Sequence, residues 1–210
     1  MKFFISLLPL AAIAAAQGTQ DSTLAEDGLV PATLVAPTGD FTLGVWNPMN
    51  AWTGKTVNAV AGGFFVGKRA NTTSCPTAVE GLDCALFPGN QTVLTTGGEG
   101  TLFLSVAVPG GQQVYVAPSG ALGYTPPHTT SKPEGSIVDG FLRYQSQAGG
   151  APIPLSFQDR AFKACPVANE EGVFQIYAQS VGNPEDGSHE DECVYVQLRT
   201  YPGSINAWQY

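Results

Sequence analysis

Nine short apolar or alternating runs, separated by clusters of Pro and Gly, leave this 210-residue chain few ways to fold. Phe41-Thr42-Leu43-Gly44-Val45 alternates with the period of two that a half-buried strand requires. Further runs stand at 64–66, 92–95, 102–108, 114–116, 141–144, 155–157, 173–178 and 194–198. Between them lie Pro-Gly-Asn, Gly-Gly-Glu-Gly, Pro-Gly-Gly, Pro-Ser-Gly, Ala-Gly-Gly-Ala-Pro and Asn-Pro-Glu-Asp-Gly, all strong turn chemistry. Gly supplies positive φ there and Pro presets φ at the first corner. The pattern predicts an all-β fold, a single-domain β-sandwich or barrel of short strands, and excludes a helical bundle. A β-trefoil is the alternative, because its threefold repeat leaves little trace in sequence.

Two pieces read most sharply. The run 102–108, the loop Pro109-Gly110-Gly111-Gln112-Gln113 and the run 114–116 form an expected hairpin with two glycines in its loop. The runs 173–178 and 193–198 read as two partner strands joined by an acidic loop at 181–192.

The amino-terminal segment reads differently. Lys2 is the one charge before Gln17, Phe3 to Ala16 is apolar apart from Ser6 and Pro9, and Ala14-Ala15-Ala16 supplies small residues for cleavage. That is the pattern of a secretory signal peptide over 1–16, too short for a span, which needs about 18 apolar residues. The expected organisation is a signal peptide at 1–16, an arm at 17–39, an all-β domain at 40–200 and a tail at 201–210. Export places the chain in an oxidising compartment. Cys75, Cys84, Cys165 and Cys193 are then expected as two disulfides. Three pairings are open; Cys75–Cys84 with Cys165–Cys193 keeps each bridge local and is the one expected. A zinc site has no support, since no C-x-x-C occurs. Two sequons, at Asn71 and Asn90, flank the first cysteine pair and are candidate N-glycosylation sites.

Charge narrows the partners. The formal net charge is −8, and Lys68-Arg69 is the one adjacent basic pair. Such a polyanion repels phosphate backbones and anionic headgroups, so neither nucleic acid nor a membrane surface is an expected partner.

Catalytic motifs are missing. No serine sits in G-x-S-x-G, H-E-x-x-H does not occur, and His128 and His189 are the only histidines. The expected mature end, Gln17 or Gly18, offers no amino-terminal histidine for a copper site. Glu185, Asp186, His189, Glu190, Asp191 and Glu192 make a dense cluster without EF-hand spacing, read as a solvated loop, with weak cation binding through their oxygens as the alternative. Asp139, Asp159, Glu134 and Glu99 could be named as a glycosidase pair, but 17 acids always supply candidates. No cofactor and no metal are implied.

Sugar binding needs exposed rings instead. Trp46 and Trp52, with Asn47 and Asn50 between them, could form a stacking platform, or could be core residues flanking a turn. Tyr124 and His128, in Gly-Tyr-Thr-Pro-Pro-His, are a second candidate contact, or else part of a rigid loop.

The order of motifs in the second half carries a resemblance. Pro118-Ser119-Gly120-Ala121-Leu122-Gly123-Tyr124, Pro133-Glu134-Gly135-Ser136, Ala164-Cys165-Pro166 and Phe174-Gln175-Ile176-Tyr177-Ala178 resemble the PhiA family of filamentous-fungal cell-wall proteins and the related secreted IgE-binding, allergen-like proteins. The resemblance implies a secreted, wall-associated protein without an enzymatic site and supplies no catalytic residue. Cell-wall polysaccharide or another wall component is the partner it implies. The alternative function is a carbohydrate-binding module or a glycoside hydrolase acting on wall polysaccharide.

Overall fold

In the computed structural model the described residues are 39–48, 52–69, 71–143, 152–181 and 192–210. The signal peptide, nearly all of the arm and the acidic loop between 182 and 191 lie outside them. Among the described residues twelve strands form in chain order: β1 Phe41–Trp46, β2 Val57–Val60, β3 Gly63–Val66, β4 Leu94–Thr96, β5 Leu102–Leu104 and β6 Gln112–Val116. The second six are β7 Leu122–Tyr124, β8 Phe141–Arg143, β9 Ile153–Phe157, β10 Phe162–Pro166, β11 Phe174–Ala178 and β12 Val194–Pro202.

Nine strands close a ring in the order β1-β4-β5-β6-β7-β3-β11-β10-β12 and back to β1, with every strand pair antiparallel. The fold is all-β as expected, and of the sandwich and the barrel it is the barrel; closure removes the unpaired edges that an open sheet would expose. Strand β12 holds it together. One edge of its second half pairs with β1 from Phe41↔Pro202 to Trp46↔Gln197. The other edge is shared, first by β10 at 194–196 and then by β9 at 198–200. Strand β8 extends the sheet past β9, and β2 pairs with β3 outside the ring.

Alternation puts the apolar side chains of each strand into one continuous core. Phe41, Leu43, Phe64, Leu102, Leu122, Phe162, Ile176 and Leu198 are fully enclosed. The interior is filled by these side chains, as in other small barrels.

The outer positions show how short strands with glycine are kept rigid. A Cβ on Gly44 would stand 2.8 Å from Tyr201, one on Gly63 would stand 2.9 Å from Phe65, and one on Gly123 would stand 2.6 Å from Tyr115. Each ring lies over a backbone that has no side chain of its own, a known way of stiffening strand glycines. Gly63 and Gly123 face each other across β3 and β7, a seam of one residue pair, as narrow as the Phe41↔Leu94 seam between β1 and β4.

Three features depart from the sequence expectations. Strands β2, β7 and β10 are not among the nine runs; β7 carries Gly123 and β10 carries Lys163 and Pro166, which mask the apolar pattern. The hairpin at 102–116 forms, but β5 stops at Leu104 and the loop is longer than expected. Beyond it, Ser105 turns its amide to Val93 and the amides of Ala107 and Val108 bond the carbonyls of Ala207 and Trp208. Pairing with the carboxy-terminal segment thus outcompetes the hairpin. Strands β11 and β12 are not neighbours; β10 lies between them.

The last residues pack inward. Gln112, with 0% exposure, donates from Nε2 to the carbonyls of Thr125 (3.0 Å) and Tyr210 (2.9 Å) and accepts from the Tyr210 amide (2.7 Å). The Tyr210 hydroxyl accepts from the Val93 amide and donates to the Gln91 carbonyl. Every side-chain polar atom of that buried pair is used, which is what makes burying it tolerable.

Candidate functional site

Both disulfides are present as expected. Cys75 bonds Cys84, and Cys165 on β10 bonds Cys193, beside the pair Ala164↔Val194 that starts β12. The second bridge therefore fastens β12 to its neighbour at the point where the chain returns to the barrel. Of the two sequon asparagines, Asn90 is exposed and Asn71 is half-buried. Asn71 donates from Nδ2 to the Gly89 carbonyl (3.1 Å), and its Oδ1 accepts from Thr92 (2.6 Å).

The structure does not bring Trp46 and Trp52 into one platform. Trp46 ends β1 on the outer side, where Arg199 of β12 lies over its ring, 4.0 Å from the centroid. Trp52 packs against the core, its ring centroid 3.9 Å from that of Phe174. The intervening loop is cinched at its base: the amides of Gly54 and Lys55 bond the carbonyls of Val45 and Trp52, and Thr53 bridges the backbone of Asn47. Asn47, the candidate donor of such a platform, donates from Nδ2 to the Tyr195 carbonyl (2.9 Å).

Tyr124, a candidate contact in the sequence, is buried at 4% exposure. Its ring makes edge contacts with Phe64 and Tyr210, and at that exposure it offers no open platform for stacking. The hydroxyl accepts from the Gly62 amide (3.1 Å), and the residue lines a cavity of about 270 Å³ with Pro126, Pro127 and Thr72. Burial holds its pKa above the usual tyrosine range. His128 stays exposed, in the left-handed region at φ 60.

Glu99, Glu134, Asp139 and Asp159 are all exposed and lie between strands. Three cavities bounded by described residues have no carboxylate on their walls. Among the described residues no three His, Cys, Asp or Glu side chains gather as a metal site.

What the structure does assemble is a row on the outer face of β12. Leu198 and Val196 point inward, so Tyr195, Gln197, Arg199 and Tyr201 point out. Tyr195 is 62% exposed and Tyr201 39%. Arg199 donates from Nε to Oε1 of Gln197 (3.0 Å), which fixes the guanidinium over Trp46. In the sequence, apolar alternation marks only the inward half of this strand. The outward half shows in the residues that interrupt it, an aromatic at each end and two long hydrogen-bonding side chains between.

Comparison with known proteins fits this architecture to a family. The family model described as PhiA-like secreted protein matches residues 46–210. The chain belongs to the PhiA-like secreted protein family. The match runs from Trp46 to Tyr210, so it covers eleven complete strands, both disulfides and the packed carboxy-terminal segment. A relative is an uncharacterized secreted protein of Arthroderma benhamiae, 37% identical over 142 residues, covering 66% of this chain and 69% of the relative. No solved structure matches the chain. This PhiA-like protein is secreted and extracellular, in keeping with its two disulfides.

Proposed function

We propose that this PhiA-like protein is a non-enzymatic component of the cell wall with a structural or surface role. One observation carries the reading: the barrel is filled by its own side chains from Phe41 to Leu198, so what the molecule offers a partner is its outer wall. Disulfides at two places and a carboxy-terminal clamp at Gln112 suit a protein that must persist outside the cell. A durable folded surface is also what an IgE-binding antigen presents, and loss of IgE recognition after reduction would support that role. The test of the central reading is a reducing-end assay on chitin, β-glucan and cellulose. No release above the buffer blank is expected; release that grows with protein concentration would establish a glycoside hydrolase and end the proposal.

The carbohydrate-binding alternative has a specific observation in its favour, the outward row on β12.

A further inference from the structure

We propose that Tyr195, Gln197, Arg199 and Tyr201, with Trp46 beside them, form a binding surface for a neutral, extended polysaccharide. The inference rests on the wall-associated reading above and names the class of partner and the face that meets it.

The row has the chemistry such a polymer needs. Sugar rings with equatorial hydroxyls present apolar C–H faces that lie on aromatic rings, and hydroxyl edges that exchange hydrogen bonds with amides and guanidinium groups. Tyr195 and Tyr201 supply two open rings on one side of one strand. Six residues at about 3.3 Å each set them roughly 20 Å apart, a span for a chain of several sugars rather than one small molecule. Gln197 and Arg199 fill the interval.

The side chains are held ready. Arg199 meets no carboxylate among the described residues; stacking on Trp46 and the bond to Gln197 fix it and leave its terminal nitrogens to donate. Tyr201 rests on Gly44, and Asn47 ties the backbone at Tyr195. The pairing of β12 with β1, β9 and β10 makes the strand itself rigid. Groups ordered before binding lose little entropy when a partner arrives. Charge selects the class. At a net charge of −8 the chain repels polyanions at long range, whereas a neutral polymer meets no such barrier.

Co-sedimentation of the full-length secreted protein with insoluble chitin, β-1,3-glucan and cellulose tests the proposal, with a sulfated polysaccharide as the anionic arm. Retention on at least one neutral polymer that survives a high-salt wash is expected. Tyr195→Ala and Tyr201→Ala should each weaken it about three- to tenfold, with Tyr→Phe at either position within about twofold of native, because the ring and not the hydroxyl carries the contact. Arg199→Ala should weaken retention as well, and circular dichroism should show all these variants folded. Retention on none of the neutral polymers would overturn the proposal. Undiminished retention by the Tyr195→Ala/Tyr201→Ala double variant would do the same, as would binding confined to the sulfated polymer and lost in salt. Reducing ends released in the same tubes would end the non-enzymatic reading while leaving the binding row standing, so the two fail separately.

Discussion

The guanidinium of Arg199 lies over the indole of Trp46, 4.0 Å from the ring centroid, on the outer face of the barrel where β12 pairs with β1. Trp52, six residues on, faces the other way, against Phe174 and the core. Two tryptophans that look equivalent in the sequence therefore do different work.

Their substitution should separate them. Trp46→Ala removes a partly exposed cation–π contact and should cost about 1 kcal/mol. Trp52→Ala leaves a void against Phe174 and should cost about 3 kcal/mol. Differential scanning calorimetry checks the order: equal falls in Tm would contradict the placement of the two rings.

The clamp at the barrel end should fail on removal of one side chain. Gln112→Ala leaves the Thr125 and Tyr210 carbonyls and the Tyr210 amide without their buried partner. A loss of about 3 kcal/mol in urea unfolding is expected, since abandoned buried polar groups cost more than a satisfied bond contributes. A loss below about 1 kcal/mol would show that the segment is not held in this way.

Alkaline pH should loosen the same region. Burial pushes the Tyr210 hydroxyl up to about 12 from its ordinary value of 10.0, while Tyr124 and Tyr115 are raised in the same direction by burial. Above pH 10 the unfolded chain loses the phenolic proton while the folded chain keeps it, so stability falls as pH rises. The contribution of Tyr210 is fully present below pH 10 and gone above about 12. Across that window each step of one in pH should remove roughly 1.4 kcal/mol. Denaturation midpoints between pH 8 and 12 should drop accordingly and drop less steeply in Tyr210→Phe; identical slopes would rule out Tyr210 as the source.

Glycosylation should favour one sequon. Asn90 is exposed, whereas both ends of the Asn71 carboxamide are engaged with Gly89 and Thr92. Intact mass of the secreted protein is expected to show a glycan that Asn90→Gln removes. Asn71→Gln should leave the mass shift in place and lower Tm instead. A glycan lost with Asn71 would reverse the assignment.

The legible part of the fold is its class, its strand runs and its bridges, because alternation and turn chemistry are local signals. Cys75–Cys84 and Cys165–Cys193 follow from short separations, and the alternation at Phe41–Val45 sits in β1 as read. Pairing is not legible, because it depends on what competes for each edge. Val106 abandons its hairpin for Ala207, and β10 enters between β11 and β12, through contacts that are distant in sequence. The candidate surface is half legible. Trp46 stands out for its ring, but its partner Arg199 is 153 positions away and becomes a neighbour only through the β1–β12 register. Tyr124 misleads because a ring beside two prolines looks exposed in sequence, whereas the β3–β7 seam encloses it.

The reading of this barrel as a non-enzymatic wall component is tested most directly with isolated fungal cell walls and purified native protein in one tube. The fraction that sediments with the walls and the reducing ends released are measured together over time. The account expects the protein in the pellet after a high-salt wash, with reducing ends no higher than in the blank. Protein left wholly in the supernatant, or reducing ends that rise with protein concentration, would contradict it.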